Sequence, residues 1–311
     1  MAANLSSSKL SPHFFRLPFT MLLDLPVIAQ PKPREARPDW LKVRIPSGEN
    51  YARLKKIMHE HDLHTVCEEA RCPNVAECWN AGTATFMILG DTCTRSCGFC
   101  AVKTGRPTFL DGEEPERVAD AIRLMDLRHV VITSVNRDEL PDGGASVFAE
   151  TIRATRRANP KTRIEVLIPD FKGRDESLRL IFDARPDILN HNTETVPSMY
   201  RMVRPQAKYQ WSLKVLRRGK EEGFITKTGI MLGLGEQREE LIKVMTDLVE
   251  IKVDILTLGQ YLQPTPNHLP VHRFLHPDEF KELHDIGMDM GFRNVESGPL
   301  VRSSYHAEQH I

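Results

Sequence analysis

The chain has 311 residues, with 42 lysines and arginines against 42 aspartates and glutamates, so its formal net charge is zero. That balance excludes the basic footprint expected of a protein whose main partner is nucleic acid or an anionic membrane. A hydrophobic fraction of 41% beside 27% charged residues is that of a soluble globular protein, long enough for one large α/β domain or two ordinary ones.

Residues 1–30 hold Lys9, Arg16, several serines and no acid before Asp24, a composition with a trace of a transit peptide. Pro18, Asp24 and Pro26 interrupt its apolar part, which falls well short of the roughly 20 residues a membrane-spanning helix needs. The expectation is a disordered cytoplasmic tail, with organellar targeting as the alternative. Residues 31–46 are rich in proline and basic side chains and read as an extended arm, so 1–46 forms one disordered or extended segment. Tyr51, Leu54, Ile57 and Met58 then fall at helical spacing and predict a helix over 50–62.

All six cysteines lie between Cys67 and Cys100. A disulfide framework would spread them along a small secreted domain; a local cluster of thiols in a large chain points to metal ligation in a reducing compartment. The first group, Cys67, Cys72 and Cys78, has the spacing C-x4-C-x5-C and fits no zinc template.

From residue 85 the pattern alternates. Candidate strands are Phe86–Leu89, Val130–Val135, Ile164–Ile168, Ile188–His191, Gly229–Leu232 and Ile255–Leu258. Amphipathic stretches at 115–126, 146–158, 176–184, 211–222 and 237–250 separate them. Short β-branched strands alternating with helices imply a parallel sheet with right-handed crossovers. Six such units can curl into an incomplete barrel, whose chemistry would sit at the C-terminal strand ends; a doubly wound open sheet is the alternative.

Just past the first of these strands lies MILGDTCTRSCGFC, in which Cys93, Cys97 and Cys100 form C-x3-C-x2-C. Three thiolates at this spacing can hold three irons of a cubane cluster and leave the fourth iron open for chemistry. The competing reading is zinc, which needs a fourth ligand; the nearest histidines, His61 and His64, precede the loop, and only Cys97–Cys100 has C-x2-C spacing. On its own, the R-S-S-Y stretch at 302–305 reads as a surface turn. Likewise Gly233–Leu234–Gly235 fails as a dinucleotide loop, because position 238 is arginine.

C-x3-C-x2-C with Phe99 before the last cysteine resembles the radical S-adenosylmethionine signature. Adding the upstream C-x4-C-x5-C and the terminal R-S-S-Y, the chain resembles the lipoyl synthase family over nearly everything from Trp40 to His306. Further matching stretches are SVNRDELPDGGA, LIPDFKG, LNHNTETVP and KTGIMLGLGE. One departure is Asn136, which stands where the family pattern leads one to expect an acid.

The resemblance implies an α/β fold, a partial (β/α)6 TIM-like barrel of the radical SAM type with N- and C-terminal extensions. Its parts would be an auxiliary-cluster extension at 47–84, the barrel at 85–292 and a tail at 293–311 supplying a serine ligand. It implies two [4Fe–4S] clusters and S-adenosyl-L-methionine as co-substrate. Cys93, Cys97 and Cys100 would hold the radical-generating cluster. Cys67, Cys72, Cys78 and Ser304, with Ser303 as the fallback, would hold an auxiliary cluster that donates sulfur. Asn192 and Glu194 are then expected to contact the cofactor's ribose or methionyl part, and Gly233 to admit its adenine.

The implied reaction inserts sulfur at C6 and C8 of an octanoyl chain on a lysine of a lipoyl carrier domain. That carrier would be a 2-oxoacid dehydrogenase E2 or a glycine cleavage H protein. An electron donor such as ferredoxin or flavodoxin and an iron–sulfur carrier would serve the cytoplasmic enzyme; nucleic acid and membrane are not expected partners. The alternatives are another two-cluster enzyme of the methylthiotransferase or biotin synthase type, and a zinc-stabilised binding protein.

Overall fold

The structure is a computed structural model that describes residues 36–42, 49–60, 63–69, 72 and 74–309. All of these but Ala36 belong to one compact unit, 37–311. The expected tail over 1–30 and most of the 31–46 arm lie outside the described residues.

Helix α1 (Glu49–Glu60) buries Leu54 and Met58, two positions of the apolar stripe that predicted it. It leads to the two-residue strand β1 (His64–Thr65) and the short helices α2 (Val66–Glu69) and α3 (Val75–Asn80). Strand β2 (Thr83–Ile88) opens the sheet, and the pair β3 (Thr92–Cys93) and β4 (Lys103–Thr104) follows at its end. Helix and strand then alternate: α4 (Glu114–Met125), β5 (His129–Ser134), α5 (Ala145–Ala158), β6 (Arg163–Leu167), α6 (Asp175–Asp183) and β7 (Ile188–Asn190). The second half runs α7 (Tyr200–Val203), α8 (Tyr209–Glu221), β8 (Ile225–Leu232), α9 (Arg238–Glu250), β9 (Ile255–Gln260), α10 (Pro277–Met290) and β10 (Asn294–Gly298).

The sheet order is β1-β2-β5-β6-β7-β8-β9-β10, antiparallel only at β1–β2 and parallel at every later pairing. This is the α/β partial barrel expected. Each strand lies beside its successor because each crossover helix returns the chain in the same sense. Two hydrophobic clusters fill the layers, one around Trp79, Phe86, Phe148 and Phe182 and one around Val244, Leu256, Tyr261 and Phe280. Each such side chain, fully removed from water, stabilises by about 1.5–3 kcal/mol.

Three departures from the sequence reading have physical reasons. Strand β8 starts four residues before Gly229, because Thr226, Lys227 and Thr228 interrupt the apolar run and are nevertheless buried. Strand β2 stops at Ile88, because Leu89 (φ 71°) and Gly90 (φ 86°) turn the chain through left-handed backbone. Beyond the six expected strands, β10 adds a seventh parallel one, Asn294–Gly298, so it is the segment after 298 that leaves the sheet. Its sequence NVESG buries only Val295 and has no apolar run to announce it.

Inside the barrel, Lys227 reaches Glu165 at 3.0 Å, Asn190 donates to the same carboxylate at 2.8 Å, and His129 lies 3.4 Å from it. Burial alone would raise the pKa of Glu165. Lys227 and then His129 outweigh it and bring it down to about 2, so the group is a buried ion pair rather than a neutral acid.

Candidate metal centre

The left-handed turn after β2 delivers the chain to the cysteine loop. A non-glycine residue at φ 71° is strained, and here two buried groups hold it: Glu114 accepts from Leu89 N at 2.7 Å and Arg137 donates to Leu89 O at 3.0 Å. Cys93 then pairs with Thr104 in the β3–β4 ladder. Its sulfur accepts from the backbone N–H groups of Arg95 (3.4 Å) and Asn136 (3.3 Å). Because position 136 uses its backbone, the asparagine there leaves this contact intact.

Arg95, between the first two cysteines, is almost fully buried and forks onto two carboxylates. It donates to Asp170 at 2.8 and 2.7 Å and to Asp138 at 2.8 and 3.0 Å. These carboxylates follow β6 and β5, so the guanidinium ties the loop to two strand ends. Sequence spacing marked the cysteines and passed over Arg95; the signals available were an arginine inside the cysteine motif and acids after two strand ends.

Cys93, Cys97 and Cys100 all line one cavity of about 920 Å³ at the strand ends. Burial pushes Cys97 up to about 12, against the nearby Arg204 charge, and Cys100 up to about 11. Thiols this reluctant to ionise alone are turned into ligands by a metal that displaces their protons. All six cysteines are free thiols. Among the described residues, no three histidine, cysteine or acidic side chains already stand in a metal-ligating arrangement. The donor set nevertheless fits an iron–sulfur cluster: three thiols of one loop, opening on a cavity, one already receiving backbone donors, with no fourth protein ligand in the motif.

Asn192 and Glu194 line the same cavity, on the segment after β7. Glu194, half-buried at φ 66°, bridges to β8 by accepting from Met231 N (2.9 Å) and donating to Gly229 O (2.9 Å). Burial raises its pKa, while Arg204 and a 3.1 Å donation from Asn192 oppose the rise. The carbonyl oxygen of the Asn192 side chain is buried without a partner, an acceptor facing a ligand cavity. Gly229 lies against it: a Cβ there would come 2.9 Å from Asn192 Oδ1 and 2.7 Å from Thr257 Oγ1.

Gly233 is elsewhere. Its N–H and those of Leu234 and Gly235 all donate to Glu236, at 2.7, 2.9 and 3.1 Å. A Cβ on Gly233 would meet Gln260 at 2.2 Å and the Arg273 carbonyl at 2.4 Å, so packing of the following loop accounts for its glycine. It is not among the residues that line the cavity.

The second cysteine group sits across from the chain's last residues. Cys67 lies in α2, Cys72 donates its N–H to Cys67 O at 2.9 Å, and Cys78 lies in α3. Burial and the neighbouring Cys72 push Cys67 up to about 12; burial also raises Cys72, with Asn74 and the Arg302 charge opposing. Asn74 donates to Leu300 O at 2.7 Å, while Tyr305 Oη and His306 Nε2 each lie 3.2 Å from Glu77 Oε1. Ser303 and Ser304 stand half-buried in the turn between these anchors, and Arg302 and Ser303 line the large cavity.

Comparison with known proteins agrees with this arrangement. A family model described as the radical SAM superfamily matches residues 87–248, and one described as the N-terminal domain of lipoyl synthase matches 25–72. The lipoyl synthase of Rubrobacter xylanophilus is 63% identical over 282 residues, covering 90% of this chain and 88% of its own. That of Geobacillus kaustophilus is 59% identical over 278 residues (88% and 93%), and the mitochondrial enzyme of Nematostella vectensis 55% over 280 (90% and 96%). Among solved structures, methylornithine synthase superposes with a TM-score of 0.53 at 14% identity, covering 79% of this chain and 81% of its own. The [FeFe]-hydrogenase maturase HydG gives 0.52 at 15% (83% and 70%). These two share the fold. Identity of this extent with the curated relatives places the chain in the lipoyl synthase family of radical S-adenosylmethionine enzymes.

Proposed function

We propose that this chain inserts two sulfur atoms, at C6 and C8, into an octanoyl group carried on a lysine of a lipoyl carrier domain. The observation that carries the reading is the convergence on one cavity. Cys93, Cys97 and Cys100 line it together with Arg302 and Ser303, and the Arg302 charge acts on Cys72 of the second group. Methylene carbons offer neither an acidic proton nor a leaving group, so no general base or nucleophile among the lining side chains has anything to act on. When bound, a cluster with S-adenosyl-L-methionine supplies a carbon radical able to take such a hydrogen, and a second cluster supplies sulfur.

The chain's own contribution is to hold and exclude. Cys93, Cys97 and Cys100 would hold the radical-generating [4Fe–4S] cluster. Cys67, Cys72, Cys78 and Ser304 would hold the auxiliary one, with Ser303 as the alternative favoured by its place in the cavity wall. A serine oxygen is a harder and weaker partner for iron than a thiolate, which suits a cluster that is consumed. Asn192, through its unpartnered acceptor, and Glu194, through its carboxylate on the cavity wall, would orient the cofactor's polar groups.

The carrier would be a 2-oxoacid dehydrogenase E2 or glycine cleavage H protein, with ferredoxin or flavodoxin as donor and an iron–sulfur carrier to rebuild the consumed cluster. Six free thiols suit the reducing cytoplasm, with an organelle the alternative that the sea-anemone relative illustrates. No helix among the described residues is long and apolar enough to cross a membrane.

The test is anaerobic reconstitution followed by assay on an octanoyl-lysine peptide. About eight irons and eight sulfides per chain, with 5′-deoxyadenosine and a thiolated peptide, are expected for two cubanes. About four irons, with 5′-deoxyadenosine but no thiolation, would sink the sulfur-donor assignment and leave a single-cluster radical enzyme. Zinc without acid-labile sulfide would sink the radical reading altogether.

A further inference from the structure

The segment after β9, residues 261–269, is bonded at both ends to functional parts of the molecule. Its first half, Tyr261 to Thr265, is cavity wall. Its second half lies on the cysteine loop. Leu269 N donates to Gly98 O at 2.9 Å, and the ring of His268 contacts Cys100 O at 2.9 Å through Nε2. A carbonyl only accepts, so Nε2 carries the proton; Nδ1 is then free to accept from the Thr265 hydroxyl, 2.8 Å away. In a neutral ring the two contacts fix one tautomer and one orientation.

The halves are cross-braced. Tyr261 Oη donates to Leu269 O at 2.7 Å and Gln263 Nε2 to His268 O at 2.8 Å, so wall and loop contacts belong to one strap. Gly98 shows how closely the strap is seated: a Cβ there would come 2.8 Å from Leu269 Cγ and 3.2 Å from Met202 O. On its other side Gly98 N donates to Val203 O at 2.9 Å. Arg95 anchors the Cys93 end of the loop to β5 and β6, and the strap alone reaches the Cys100 carbonyl among the hydrogen bonds described.

We propose that His268 is a positioning residue that sets the Cys97–Cys100 half of the loop from the substrate-side wall of the cavity. It is not among the residues that line the cavity; it acts through the backbone carbonyl between Cys100 and Ala101. Its consequence is that placement of the cluster and the shape of the cavity wall depend on one another. Weakening the link makes radical formation less well matched to the bound acyl chain, so more cofactor is cleaved per sulfur inserted. The inference rests on the reading that Cys93, Cys97 and Cys100 hold the cluster.

The experiment uses the reconstituted full chain with His268→Ala, His268→Gln and Thr265→Val. Alanine removes both contacts. Glutamine can still donate to Cys100 O and accept from Thr265. Valine leaves the ring and its bond to Cys100 O but removes the hydroxyl that holds Nδ1. Iron and sulfide, the electron paramagnetic resonance spectrum of the reduced protein with and without S-adenosylmethionine, and the ratio of 5′-deoxyadenosine to thiolated peptide are measured.

The expected result for His268→Ala is full iron content and an altered cofactor-bound spectrum. The ratio should rise by about tenfold, the low end of what outer partners of metal ligands are worth. His268→Gln should restore both, and Thr265→Val should fall between. A wild-type spectrum and ratio in His268→Ala would overturn the proposal. A loss of iron in His268→Ala that glutamine does not restore is structural failure and not positioning; Thr265→Val, which keeps the ring, then decides, and a wild-type ratio there would also overturn the proposal. Should Cys93→Ala/Cys97→Ala/Cys100→Ala retain about eight irons, the underlying cluster assignment fails, whatever His268 does.

Discussion

Cys93, Cys97 and Cys100 sit in a loop fastened through long-range bonds to β5, β6, α7 and the strap after β9. Cys67 and Cys78 ride on two short helices with Cys72 between them, and the described ties of this region to the C-terminal tail are Asn74 to Leu300 and Glu77 to Tyr305 and His306. The first group is placed by the barrel itself: once the strands pair, the loop has nowhere else to go. The second is joined to the tail by contacts between residues 226 and 228 apart in sequence, so it faces the tail only while those long-range contacts hold. A reusable centre on the rigid platform and a consumed one under a removable latch are what the proposed chemistry calls for.

The largest effects separate the two groups outright. Cys97→Ala should reduce both 5′-deoxyadenosine and thiolated peptide to background. Cys72→Ala should abolish only the thiolated peptide and keep cofactor cleavage. Chromatography of both products from one reaction checks this, and loss of cofactor cleavage in Cys72→Ala would break the division of labour.

Next comes the anchor of the rigid loop. Arg95→Leu leaves Asp170, which is fully buried, as an uncompensated charge, and breaking a buried pair this way costs about 3–5 kcal/mol. That is a large share of a typical domain stability of about 5–15 kcal/mol. Urea unfolding should show it as a lower midpoint at unchanged slope. Arg95→Leu/Asp170→Asn should recover part of the loss, because the amide needs no counter-charge.

The same contrast governs what could be read from sequence. The parallel strands and their helices announced themselves by apolar runs, and the six expected strands differ from those observed mainly at their ends. Strand β8 begins before the expected Gly229 because Lys227 breaks the apolar run, and only the fold brings Glu165, His129 and Asn190 around it. The cysteines of both groups were legible from spacing. Their anchors were not: Arg95, His268 and Glu77 act through partners 43 to 229 positions away, and no local pattern encodes such a distance. Strand β10 escaped because one buried valine makes no periodicity.

Acid should weaken the barrel. His191 lines the cavity, donates through Nδ1 to Ile168 O at 2.8 Å and lies 3.0 Å from Ser212 through Nε2. Burial, aided by the Arg204 charge, lowers its pKa from 6.5 to about 4. The unfolded chain therefore takes up this proton first. The stability it represents is complete above about pH 6.5 and is lost as the pH falls toward 4, on the order of 3 kcal/mol over the window. Urea midpoints at pH 7 and 5 should differ in the native sequence and differ less in His191→Gln. Equal pH dependence in the two would assign the loss to other groups.

The smallest effect falls on the latch and is the most diagnostic of it. Tyr305→Phe removes one hydroxyl, whose partner Glu77 is exposed, so the lost hydrogen bond costs about 0.5 kcal/mol, close to a twofold change in the docked fraction of the tail. Global stability should not change measurably, because Asn74 still holds Leu300 and His306 still faces Glu77. Amide exchange over 300–306 should quicken about twofold in step, since opening of a segment that is not part of the barrel needs no strand to separate. Sulfur insertion should fall by a similar factor while cofactor cleavage stays level, because the tail touches the auxiliary side and the Cys93–Cys100 loop keeps its anchors. If cleavage fell together with insertion, the tail would be acting on the rigid loop as well, through Val301, whose carbonyl stands where a Cβ on Gly259 of β9 would lie, only 2.1 Å away.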